Sequence, residues 1–152
     1  MDILATAQAF MAAWEKGDRL QLLKLADPQF QLHNLYHMPV GIETMIMIMH
    51  SHLKAFPDCC FNVRDFIQEG DCVRVTVQVT GTHLGRLENL IPASHALPPT
   101  GRRIDLSPHH LTLTVEAGKI IAISDDSLTE SMGTTLYRQL GITTDANPNG
   151  TS

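Results

Sequence analysis

Large apolar residues recur at helical spacing from Asp2 to Lys16, with Ile3, Phe10 and Trp14 around Ala7, and Gly17-Asp18 stops the run where a C-terminal glycine belongs. This predicts a first helix. Asp18 can cap a short second helix carrying Leu20, Leu22, Leu23 and Leu25, which Pro28 should close. Phe30 to Asn34 then alternates as a short strand does. From Gly41 to Phe56, Ile42, Ile46, Met49, Leu53 and Phe56 form one stripe that ends at Pro57, a third helix whose methionines make a pliable face. Beyond it the period changes to two: Phe61 to Glu69 is strand-like, Gly70-Asp71 is a turn, and Val73, Val75, Val77 and Val79 alternate with Arg74, Thr76, Gln78 and Thr80. A second hairpin follows, with Leu111, Leu113 and Val115 in phase, the turn Ala117-Gly118, and a strand from Ile120 to Asp125.

Between the hairpins, Gly85 to Gly101 is long and carries Pro92, Pro98 and Pro99, a candidate lid. A last helix is expected from Thr129 to Leu140, and the polar stretch 142–152 should be a disordered tail after a single domain spanning 1–141. Helices followed by strands make the chain α+β, with helices covering one face of a curved antiparallel sheet.

Composition narrows the partners. A chain of 152 residues, 43% hydrophobic and 18% charged, can bury a sizeable core without a metal or disulfide. Its net charge of -5 offers no basic face for a run of phosphates, so nucleic acid is excluded as an expected partner. No apolar run approaches the length of a membrane span. Cys59, Cys60 and Cys72 fit neither a disulfide framework nor a zinc spacing, which suggests a reducing, cytoplasmic setting. His50 and His52, two apart on a helix, cannot share a metal ion on one face, and His109 and His110 point to opposite faces of a strand.

Six strings stand in the order they have in SnoaL-like polyketide cyclases: Ala55-Phe56-Pro57-Asp58, Gly70-Asp71, Gly81-Thr82-His83-Leu84-Gly85, Pro98-Pro99-Thr100-Gly101-Arg102-Arg103, Gly118-Lys119-Ile120 and Gln139-Leu140-Gly141. The chain resembles that family. The resemblance implies a cone of the nuclear-transport-factor-2-like type, in which a curved sheet and three N-terminal helices enclose an apolar pocket, acting without cofactor on a hydrophobic carbonyl compound. It also implies a general base on the strand after the Gly-Lys-Ile turn, seven residues past the glycine, which is Asp125. The assisting histidine would lie seven before that glycine. Leu111 stands there, with His109 and His110 just upstream, and strand parity puts His109 in phase with the inward Leu111 and Leu113. Ser124 takes the place of a tryptophan often found before the base, and the loop is longer than the family's usual one.

Cofactor-free cyclisation needs a base for an activated carbon and a donor for the enolate oxygen. Asp125, His109 and Asn34 are the candidates for these tasks, Asn34 because it shares the side of Phe30 and Leu32. Burial should raise the Asp125 pKa; the bland alternative is that Asp125 and Asp126 cap the last helix or face solvent. His83 and His110 are candidate substrate contacts, His83 serving equally as a turn contact. Trp14, Phe10, Met49, Leu53 and Phe56 are core, pocket wall, or both. Arg102 and Arg103 are either a strand-end pair or an attraction for an acidic group, and Glu88 and Glu130 read as solvated. Two functions stay open: a cyclase or isomerase, and a non-catalytic module that binds an apolar molecule. In both, the outer face with Arg74, Thr76, Gln78 and Thr80 suits pairing into a homodimer.

Overall fold

The computed structural model describes residues 2–35, 38–87, 96–127 and 132–141. Helix α1 (Ile3–Lys16) starts where the Asp2 carboxylate accepts the Ala5 N–H at 2.6 Å, and its stripe Ala7, Phe10, Met11 and Trp14 is buried. Gly17 ends it at φ +75°, and a side chain there would also strike Leu53, whose Cδ1 lies 2.6 Å from the site of a Cβ. Asp18 caps α2 (Arg19–Leu25) through the Gln21 N–H.

Strand β1 (Ala26–His33) begins earlier than the sequence pattern suggests. Pro28 follows the end of α2 at Leu25 within a turn, as expected, but already sits in the strand, where the pairing shifts between Ala26 and Gln31. The strand tolerates it because β1 lies at the sheet edge, where a missing N–H and an irregular register leave no central ladder broken. Helix α3 (Ile42–Ala55) ends at Phe56, one residue before Pro57. Then come β2 (Arg64–Glu69), β3 (Cys72–Val77), β4 (Thr80–Thr82), β5 (Arg103–Asp105), β6 (His109–Glu116), β7 (Lys119–Asp125) and α4 (Met132–Gln139).

Five strands form one sheet in the order β1-β7-β6-β3-β2. It is mixed, since β1 runs parallel to β7 while the other pairs are antiparallel. The valine strand is also shorter than its alternation predicts: β3 ends at Val77, and β4 pairs with β5 in a separate two-stranded sheet. Alternation reports which face a residue takes, and both sheets present an apolar face inward, so the break leaves no mark on the pattern. The result is an α+β cone with two cores. The larger joins α1, α2, α3 and the inner sheet face; the smaller gathers Ala55, Phe56, Leu87, Ile104, Leu106, Leu136 and Leu140.

At the neck of the long loop Leu87 and Leu97 exchange both backbone hydrogen bonds, at 2.8 and 2.7 Å. Much of the candidate lid, residues 88–95 with Glu88 and Pro92, lies outside the described residues, as do Glu130 and the tail 142–152. No described helix is long and apolar enough to cross a membrane.

Candidate functional site

Residues of β6 alternate between the two faces of the sheet, and His109, Leu111, Leu113 and Val115 are all buried while His110 is exposed. His109 therefore faces the helices. On β7 the inward set ends with Ile123 and Asp125, and Asp125 sits directly opposite Leu111. The two polar side chains meet there: His109 Nδ1 lies 2.6 Å from Asp125 Oδ2, with side chains only 1% and 4% exposed. The other carboxylate oxygen, Oδ1, accepts the Ser127 N–H at 3.0 Å. Asp126 points the other way, exposed, bonding Thr112 and Ser124. Asp125 is thus turned to the interior and does not face solvent, and its partners among the described residues are His109 and Ser127.

Burial pushes the Asp125 carboxyl upward, but the hydrogen bonds from His109 and the Ser127 N–H, with the charge of His109, outweigh it and hold the group below its ordinary 3.8. The rise expected from burial alone is overturned, because burial at this position comes with donors. A folded-state pKa below the unfolded one contributes stability above pH 3.8 that is lost as the pH falls through the folded value. In thermal melts between pH 2 and 6, the native protein should lose stability at the acid end more steeply than Asp125→Asn, which has no carboxyl to protonate. Equal slopes would contradict the pairing.

Beside the pair opens an apolar cavity, part of it open to solvent. Its sheet wall includes Val77 and Leu111, which are the cross-strand partners of His109 and Asp125 respectively. The pair therefore lies at the margin of the cavity on its sheet side. Trp14 of α1, Met49 and Leu53 of α3, and Phe56 line it as the helical stripes suggest.

Four other candidates fall elsewhere. Phe10 is fully buried behind the wall, against Trp14 at 6.4 Å and Phe30 at 5.7 Å between ring centroids. Asn34 is exposed at φ +67°: the strand ends at His33, and a left-handed residue breaks the alternation that would have turned Asn34 inward. His110 bonds Thr76 Oγ1 at 3.2 Å from the outer face. His83 is buried against Phe56 and is occupied by the loop, its Nδ1 meeting Thr100 Oγ1 at 2.9 Å and accepting the Thr100 N–H at 3.2 Å. Its Nε2 is buried with no partner among the described residues. Of the arginine pair, Arg103 begins β5, and Arg102 reaches back to the Gln139 carbonyl at 3.5 Å.

Several wall residues are not marked as pocket candidates by the sequence, and His52 and Cys59 are the ones that carry polar or ionisable atoms. His52 continues the stripe Met45, Met49 at a spacing of three, so its position on the buried side was available from helical phase. Cys59 lies past the helix end, where no periodicity applies; burial, with the charges of Glu15, Cys60 and Asp58, pushes its thiol up to about 12 and keeps it neutral. Among the described residues no three His, Cys, Asp or Glu side chains come together as a metal site.

A curved sheet and helices around an apolar cavity, with a buried Asp125–His109 pair at its margin, give the chain the nuclear-transport-factor-2-like fold. The family model for SnoaL-like polyketide cyclases matches residues 5–125, and the chain belongs to that family. Among solved structures it is similar to IdmH of Streptomyces antibioticus, provisionally a polyketide cyclase, at 23% identity over 93% of this chain and all of that one, with a TM-score of 0.68. A Bacillus cereus protein with the same provisional assignment matches at 25% identity over 91% of this chain and 79% of its own, TM-score 0.67. AclR of Streptomyces galilaeus, provisionally a hydroxylase, matches at 27% over 90% and 79%, TM-score 0.64. No curated protein matches the chain.

Proposed function

We propose that this chain is a cofactor-independent cyclase or isomerase for a hydrophobic, polyketide-like carbonyl compound, in which Asp125 takes a proton from the carbon beside a carbonyl. His109, bonded to the same carboxylate, steadies the developing charge and relays the proton. The observation that carries this reading is the buried 2.6 Å contact between His109 and Asp125 beside an apolar cavity. In such a setting a carboxylate meets the acidic carbon without competing water, and both partners are held in place before the substrate arrives. Membership of the SnoaL-like family supports the reaction class.

A second reading has its own observation. Both Asp125 oxygens already accept hydrogen bonds, which weakens the base, and neither Asp125 nor His109 is itself among the cavity-lining side chains. A binding module of the same fold would look like this, and the likeness to AclR is a reminder that one fold serves several chemistries. The two readings part on deuterium uptake at the central carbon of 1-(2-naphthyl)butane-1,3-dione, followed by NMR in deuterium oxide at pH 6. An enzyme should accelerate uptake saturably. Binding of the dione with uptake at the background rate would establish the binding module instead. Pairing of two copies through the outer sheet face, and a cytoplasmic setting in keeping with free Cys59, Cys60 and Cys72, complete the proposed picture.

A further inference from the structure

The cavity wall is almost wholly apolar, and the side-chain nitrogens on it belong to Trp14 and His52. His52 is partly buried in the last turns of α3, and among the described residues its ring makes no hydrogen bond; its carbonyl accepts the Phe56 N–H at 2.7 Å as ordinary helix backbone. Its ring nitrogens are not fully buried, so water can reach them from the cavity, and a bound molecule that displaces this water beside methionine, leucine and phenylalanine must offer the ring a partner or leave it costly unpaired. The loss of hydration lowers its pKa to about 4, so near neutrality it is an uncharged imidazole with one N–H donor and one acceptor. It stands on the helix side of the cavity, whereas the Asp125–His109 pair adjoins the sheet side through Leu111 and Val77.

We propose that His52 donates a hydrogen bond from the α3 wall to a carbonyl oxygen of the bound molecule, and so selects oxygenated over purely hydrocarbon ligands and sets which end meets the acid–base pair. The inference rests on the cavity being the substrate site. It adds a substrate requirement: a carbonyl remote from the reacting carbon, at the far side of the molecule.

The test uses two probes of one shape, 2-acetylnaphthalene and 2-ethylnaphthalene, titrated against the full-length protein. Trp14 is the single tryptophan and lines the cavity, so its one indole N–H signal reports occupancy. His52→Leu should weaken the ketone by about 3- to 10-fold, the worth of one hydrogen bond, while leaving the hydrocarbon unchanged or tighter. His52→Gln, which keeps an N–H donor, should hold the ketone within about 3-fold of the parent. An equal change for both probes in His52→Leu would make the residue plain packing and overturn the proposal. Undiminished ketone binding in that variant would also overturn it, pointing to the Trp14 N–H as the donor. Discrimination through His52 in a protein that never accelerates deuterium uptake would uphold the selection and remove only the chemistry.

Discussion

Asp125→Asn is expected to slow deuterium uptake by the naphthyl dione about 10²- to 10⁴-fold while the cavity still takes the probe up. Hydrogen-bond inventory matters at this position as much as charge. In the native protein the carboxylate has two acceptor oxygens, one for His109 Nδ1 and one for the Ser127 N–H. An amide has a single acceptor oxygen. If that oxygen serves Ser127, the amide NH₂ faces His109 and forces its proton to the other nitrogen; if it serves His109, two N–H groups face each other at Ser127. Either arrangement loses the base and misorients its partner. Stability should fall by roughly 1–3 kcal/mol, the range for hydrogen bonds to a buried charged group. The rate loss should far exceed what so modest a destabilisation could cause in a protein that remains folded. An unchanged rate with the expected stability loss would leave the pair a structural element and favour the binding module.

The cone was largely legible because it depends on patterns that survive in one dimension. Caps at Asp2 and Asp18, the stops at Gly17 and Pro57, and the turns at Gly70-Asp71 and Ala117-Gly118 are local chemistry, and each lies where its residues require. Strand parity also chose His109 over His110, since the inward face of β6 is marked by Leu111 and Leu113 on either side of no irregularity. Parity failed at Asn34 because it holds only while the strand lasts, and β1 ends one residue earlier. The edge position that admits Pro28, and the division of the valine strand into β3 and β4, follow from which strands become neighbours across long stretches of chain. Pattern in a single strand carries none of that. The cavity was harder again: periodicity shows that Phe10, Met49 and His52 are all on buried stripes, but whether a buried side chain meets another or meets empty space depends on what packs opposite.

That distinction gives the largest expected loss of stability. Phe10→Ala should destabilise the protein by about 3–5 kcal/mol, the usual cost of removing a buried phenylalanine ring and leaving a void. Phe10 is completely buried, touching Trp14 on one side and Phe30 on the other, so the surrounding rings cannot close the gap without shifting both. For a domain of this size each kcal/mol moves the midpoint by about 2–4 °C, so a fall of roughly 10 °C is expected in a thermal melt. Leu53→Ala provides the contrast. Leu53 is partly buried and faces the cavity, so its removal enlarges a space that already exists and should cost clearly less. The two variants should therefore rank oppositely on binding per unit of stability: Leu53→Ala changes the indole shift and affinity of 2-ethylnaphthalene directly, whereas Phe10→Ala acts only through the freedom it leaves Trp14. A Phe10→Ala protein as stable as the parent would mean that the ring also fronts open space, and that the cavity extends behind Trp14 into the helical core.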